Sequence, residues 1–293
     1  MSSNVSGPLA GRVIVTTGAT SGIGHEVALG LARLGATTVI VGRGADRAAR
    51  VAAEIAQVTG NPKVESLGVT DLAQAADVRQ LAAALLERYP SVRVLINNAG
   101  GYFRRRDVTT DGLERTFALN VMAPYLLTTL LAPRLISNAP ARVVNISSAA
   151  HGGARVDLSD LQGARHYAGF RAYGASKLEL MWLTREFARR LAGTGVTVNA
   201  VHPGYIRSGF GLNNGGGTAV AMRILARLFA KSVARGAETP MYVASAPELT
   251  SVTGGYFADR KQVPGSKESQ DLARAHTFFD ECARISGIPA LPG

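Results

Sequence analysis

A doubly wound parallel sheet of the α/β class is the architecture this sequence predicts, and three observations predict it. Short, near-continuously apolar, β-branched runs alternate with longer Ala/Leu/Arg stretches of helical character. The apolar runs lack a polar face, as strands covered by helices on both faces require. No Pro/Ser-rich linker and no internal repeat divides the 293 residues, so 1–293 reads as a single domain.

The elements follow in order. Val13–Thr17 is a strand that runs into a glycine-rich turn and a helix over Ile23–Leu34. Thr37–Val41 is a second strand, followed by Gly42-Arg43 and a helix over Ala45–Val58. Val64–Val69 and Leu72–Tyr89 form the next strand and helix, and Val92–Asn97 and Leu113–Ile136 the fourth pair. Pro124 predicts a kink or break in that fourth helix, because proline cannot donate the helical hydrogen bond. Arg142–Ile146 leads through a long loop, Ala149–Arg171, into a helix over Ala172–Leu191. Val196–Val201 leads into Gly204–Gly236, which holds Asn213-Asn214-Gly215-Gly216-Gly217 and an apolar helix over Ala219–Ala230. Repeated βα units in one chain imply right-handed crossovers. The two long segments, 149–171 and 204–236, both follow strand C-terminal ends, where open α/β sheets bind ligands, and read as substrate loops or lids.

Composition narrows the function. The formal net charge is +11, carried mostly by arginine, since lysine occurs only at 63, 177, 231, 261 and 267. The arginines are scattered except at Arg104-Arg105-Arg106 and Arg189-Arg190, with no basic run interleaved with aromatics, so nucleic acid is not the expected partner. Cys282 is the only cysteine, which fits a reducing compartment. The first residues carry no apolar signal core, and no apolar run was expected to reach the ~18 residues of a membrane helix. The expectation is a cytoplasmic protein with no integral membrane segment.

The most informative pair is Tyr173 and Lys177, four residues apart in Tyr-Gly-Ala-Ser-Lys. On a helix they share a face one turn apart, and an ammonium beside a phenol favours the phenolate, bringing an acid/base group toward neutrality. An isolated match of this kind is more often a packed Tyr and a solvated Lys. Here it has company. In Thr17-Gly18-Ala19-Thr20-Ser21-Gly22-Ile23-Gly24, the glycines permit a tight turn and close backbone approach. The helix N-terminus that follows offers free N–H groups to a pyrophosphate. This is the Rossmann-type dinucleotide turn, spaced G-x-x-x-G-x-G. The second strand ends in Arg43, with no acid at the strand end to bind a ribose 2′-hydroxyl, so NADP(H) is expected and NAD(H) less so. Small residues in Asn97-Asn98-Ala99-Gly100-Gly101 let the chain pass close to a nucleotide. Ser147-Ser148 and His202-Pro203-Gly204 end two further strands at the same edge. His202 reads as a packed residue, while His151 and His166, in the long loop, read as solvated or substrate-facing. No His/Cys/carboxylate cluster has metal-ligand spacing.

Together these motifs resemble the short-chain dehydrogenase/reductase family. The resemblance is carried, in order, by Thr17-Gly18-x3-Gly22-Ile23-Gly24, Asn97-Asn98-Ala99-Gly100, Asn120, Ser147-Ser148, Tyr173-x3-Lys177 and Pro203-Gly204. The stretches 184–191, 195–204 and 254–257, with the 149–171 insertion and a C-terminal helix near Asp271–Ile285, resemble its retinol-dehydrogenase-like branch. A soluble, bacterial-type member is the expectation. The resemblance implies an enzyme that interconverts an alcohol with its ketone or aldehyde by hydride transfer, on a fairly hydrophobic small molecule. Tyr173 would be the general acid/base, Ser148 would bond the reacting oxygen, Lys177 would lower the Tyr pKa and hold the nicotinamide ribose, and Asn120 would hold a relay water. Gly18, Thr20, Ser21, Gly22, Ile23, Gly24, Arg43, Asn98, Ala99, Gly100, Tyr173, Lys177, Pro203, Gly204 and Ile206 would contact the cofactor. The family's pairing helices correspond to Leu113–Ile136 and Ala172–Leu191, which leaves a homodimer or homotetramer open. A catalytically silent NADP-binding sensor or scaffold is the alternative, although such proteins usually lose the Tyr or Lys. Two departures stand out. Gly68-Val69 replaces the usual Asp-apolar pair, leaving Asp71 either as its substitute or as a turn cap. Ser208 stands where a Thr is common after Pro203-Gly204.

Overall fold

The computed structural model describes residues 6–204 and 232–291. Ile206, Ser208 and the expected apolar helix over Ala219–Ala230 lie outside them. The strands are β1 (Val13–Thr17), β2 (Thr37–Arg43), β3 (Val64–Val69), β4 (Val94–Asn97), β5 (Ala141–Ile146), β6 (Val196–His202), β7 (Tyr256–Ala258) and β8 (Lys261–Gln262). They form one sheet of order β3-β2-β1-β4-β5-β6-β7-β8, in which, among the described residues, only the β7–β8 pair is antiparallel. The strand order reverses between β1 and β4, which opens the ligand crevice at their C-terminal ends.

The helices are α1 (Gly22–Arg33), α2 (Ala45–Thr59), α3 (Ala75–Arg88), α4 (Arg115–Phe117), α5 (Ala123–Ser137), α6 (Gly169–Arg190), α7 (Val233–Ser245) and α8 (Leu272–Ser286). Both faces of the sheet are buried, and successive strand residues feed opposite cores. Val15, Leu95, Val143 and Val198 pack with α3, α5, α6 and α8. Ile14, Val94, Ile96, Val144 and Val201 pack with α1 and α7. That is why the strands read as continuously apolar runs.

The break expected at Pro124 is present, and two other sequence expectations change. The fourth helix is not continuous: α4 passes into a π-helical turn over Ala118–Met122, and α5 begins at Ala123 with Pro124 in its first turn. Pro124 has no N–H for the carbonyl of Asn120, so the break falls on the residue the motif singles out. The third helix begins at Ala75 rather than Leu72, because Asp71 and Asp77 build a turn ahead of it: the Ala73 N–H donates to Asp71 Oδ1 at 3.0 Å, and the Asp71 N–H to Asp77. One stretch, Arg115–Ser137, is long and apolar enough to cross a membrane after all, and it is a core helix, 83% buried in the fold.

The helices expected to pair with a second chain are covered within this one. α5 is buried along nearly its whole length. α8 lies over α6, setting Phe279 edge-to-face with Tyr125 and Phe187 at ring distances of 5.1 and 4.9 Å. Phe278 packs on Trp182 at 5.7 Å. The α6–α8 contact is closed by Glu186, which accepts from Arg189, Arg190 and His276.

Candidate active site

The site lies where β4 and β5 end beneath α6. Helix geometry puts Tyr173, Ser176 and Lys177 on the face of α6 that looks at these strand ends. Ser147 fixes the helix to β5 by donating to the Lys177 carbonyl at 3.1 Å. The next residue, Ser148, then comes beside the Tyr173 phenol, whose pKa it draws down. Lys177 Nζ is buried, donates to the Ile146 carbonyl at 2.9 Å, and lies 5.6 Å from the centre of the Tyr173 ring.

The electrostatics differ from the sequence expectation. Burial raises the Tyr173 pKa above 10.0, and Ser148 works against it. Lys177 holds its ammonium over the Tyr173 ring, on a backbone carbonyl partner. Burial lowers Lys177 itself from 10.5 to about 8.

Asn120, in the π-turn, spends its whole side chain on structure. Its Oδ1 accepts from the Gly101 N–H at 2.8 Å, and its Nδ2 donates to the Gly101 carbonyl and to Ser176 Oγ, each at 2.9 Å. This ties the 100–101 loop to α6. A Cβ on Gly100 would sit 3.2 Å from Asn120 Oδ1 and 3.4 Å from Lys177 Nζ, so a bare backbone keeps that approach open.

The residues present fit a dinucleotide. Ser21 precedes α1 with no side-chain cap, and the first turn of α1 holds no acid, leaving its N–H groups available to phosphate. Gly22 has φ +59°, and Gly18 has φ +65° with room for no Cβ against Ala99 Cα, 2.9 Å from where one would stand. Asn98 holds this turn rather than facing outward: its Nδ2 donates to the carbonyls of Thr17 at 2.8 Å and Gly18 at 3.2 Å. The N–H groups of Asn98 and Ala99 both donate to Thr17 Oγ1 at 3.0 Å. Thr20 packs over Gly42, and Arg43 is exposed at the end of β2, where Gly44 leads into α2 without a side-chain cap. Asp46, in the first turn of α2, is likewise exposed. Pro203 and Gly204 close β6, with Gly204 at φ +92°.

Residues 12–215 match the family model for short chain dehydrogenases. The chain belongs to the short-chain dehydrogenase family. It is 39% identical to mouse retinol dehydrogenase 12 over 281 residues, covering 95% of this chain and 87% of that one. It is 38% identical over 285 residues to a protein of Streptomyces sp. strain C5 assigned as the daunorubicin C-13 ketoreductase DnrU, covering 97% and 96%. A short chain dehydrogenase from Burkholderia cenocepacia, solved with NADP, superposes with a TM-score of 0.67 at 28% identity, over 85% of this chain and 96% of that one. These likenesses put the chain in the retinol-dehydrogenase-like branch of the family.

Within this short-chain dehydrogenase, Asp71 takes the turn role. Its carboxylate pairs with Arg115 and accepts from the Ala73 N–H. Gly68 is bare because α2 starts against it: a Cβ there would lie 2.4 Å from Ala45 Cα.

The sequence reading missed several residues around the site. Ser176 carries the Asn120 bond. Tyr102 stands edge-on to Tyr173 at 6.4 Å between ring centres. His151, read as solvated or substrate-facing, is 4% exposed and hydrogen-bonded at both ring nitrogens. A lone histidine in a loop carries no signal for that placement. The position of Ser176 between Tyr173 and Lys177 is the signal that could have found it.

Proposed function

We propose that this short-chain dehydrogenase is an NADP(H)-dependent oxidoreductase that interconverts an alcohol and its ketone or aldehyde. The observation that carries the reading is the placement of Ser148 beside the Tyr173 phenol, with buried Lys177 over its ring, at the strand edge that also carries the glycine turn. A bound nicotinamide supplies or accepts the hydride.

The chain's own residues handle the oxygen. In reduction, Ser148 donates to the carbonyl oxygen and Tyr173 delivers the phenolic proton as charge builds there. Burial keeps Tyr173 protonated, the form this step consumes. Lys177, lowered to about 8, is poised to restore the proton near neutral pH. The Asn120 side chain is spent, so its main-chain carbonyl, which Pro124 cannot engage in an α-helical bond, is the acceptor for a relay water.

The phosphate choice rests on Arg43, and the Burkholderia structure with NADP supports it. The relatives named for retinol and for daunorubicin support a fairly hydrophobic substrate. Phe170, 66% exposed at the start of α6, supports it too. The test is an assay of purified protein with NADPH and NADH against a panel of apolar ketones and aldehydes. NADPH-dependent turnover is expected, with NADH at least about tenfold weaker in kcat/KM. Tight NADPH binding with no turnover across the panel would overturn the reading.

A further inference from the structure

We propose that His151 is a positioning residue for Ser148, coupling that serine to the Gly265–Ser266 segment that leads into α8. The inference rests on the role given to Ser148 above.

His151 Nδ1 lies 2.7 Å from the Ser148 carbonyl oxygen, and the Ser266 N–H reaches His151 Nε2 at 3.2 Å. A carbonyl cannot donate, so Nδ1 carries the proton. A backbone N–H cannot accept, so Nε2 is bare. The two partners therefore fix the neutral Nδ1–H tautomer. The ring is buried and meets Tyr256 edge-on at 4.9 Å, which leaves it no freedom to turn.

The effect on Ser148 is specific. Its carbonyl takes two bonds, from the His151 side chain and from the His151 N–H at 3.2 Å. Its Oγ accepts from the Ala150 N–H at 3.2 Å, which occupies one lone pair and leaves the hydroxyl hydrogen for a partner outside the turn. The far end of the strut is equally fixed. Ser266 accepts from Ser269, and Trp182 Nε1, on α6, donates to the Glu268 carbonyl at 2.7 Å. Tyr173 and Ser148 are thus held from the same helix, one directly and one through Trp182, the 265–269 segment and His151.

Three substitutions separate this role from simple packing. His151→Asn keeps an N–H at the Nδ1 position, His151→Gln keeps an acceptor at the Nε2 position, and His151→Phe keeps the ring with neither. In NADPH-dependent carbonyl reduction, kcat should fall about tenfold in the Phe variant, which loses both ends of the strut, and only about threefold in the Asn and Gln variants, which each keep one. The NADPH Kd should be unchanged in all three. Equal losses in Asn and Phe, or no loss in Phe, would overturn the proposal. Nitrogen-15 NMR of histidine in the intact protein tests the strut without turnover. A protonated Nδ1 and bare Nε2 are expected, and the opposite tautomer or an exchanging ring would contradict it. An absence of turnover in the parent would instead count against the function proposed for the site.

Discussion

Lys177 lies over the ring of Tyr173, 5.6 Å from its centre, with its ammonium donating to a backbone carbonyl. The lysine is therefore a buried cation with one neutral partner, and this has a cost that can be measured. A pKa lowered from 10.5 to about 8 corresponds to about 3 kcal/mol against the charged form. Lys177→Met should abolish turnover yet stabilise the cofactor-free protein at pH 7 by about 1–2 kcal/mol, once the bond to Ile146 is discounted. Below the folded pKa of about 8 the lysine is charged in both states and the variant's advantage is complete. Between about 8 and 10.5 the folded form sheds its proton first, so the advantage shrinks and then vanishes. Thermal melts of both proteins from pH 7 to 10.5 check this, and a variant that melts lower at pH 7 would refute it.

Glu186 shows the opposite sign. Burial pushes its pKa up, but hydrogen bonds from Arg189, His276 and Arg190 outweigh that and hold it down at about 2. Its stabilisation is complete above the unfolded value of 4.5 and is lost as the pH falls from there toward 2. Glu186→Gln should cost about 2–3 kcal/mol at pH 7, since buried Arg190 is left with only the exposed Asp280 as a carboxylate partner. Urea titrations at pH 7 and near pH 2 should show that difference closing.

Arg43 is the exposed cation at the end of β2. Arg43→Ala should weaken NADPH binding by about ten- to a hundredfold, the range of a charge-assisted hydrogen bond, and leave NADH within about twofold. Fluorescence titration of both cofactors checks it; equal losses for the two would remove the 2′-phosphate from the account.

Among the described residues, α5 and α6 are mostly buried, with the chain's own α8 packed over both. Light scattering should give the mass of one chain, 30.6 kDa, with no dimer formed through these helices. Chemical cross-links between α6 of two copies would contradict this.

Much of the fold was legible because buried parallel strands leave long apolar runs. β1, β3 and β5 appear where the runs predict them, to within a residue. β7 and β8, at three and two residues, are too short to show a period and were not read from the pattern. Pro124 signalled a break, but not that the chain would take a π-turn over Ala118–Met122 just ahead of it. The Tyr173, Lys177 and glycine-turn positions were legible because their spacing is the chemistry. The roles of Asn120, Ser176 and His151 come from contacts 19 to 115 residues apart along the chain, and spacing says nothing about those.

The most direct test of the central claim is Tyr173→Phe, with NADPH oxidation followed on the same ketones and aldehydes that the parent reduces. The substitution removes one oxygen and leaves the ring that Lys177 and Tyr102 pack against. Turnover should fall by about 10²–10⁴-fold, the contribution of a placed general acid, with the NADPH Kd preserved. Turnover at the parent's rate, with the cofactor equally well bound, would show that the proton comes from elsewhere.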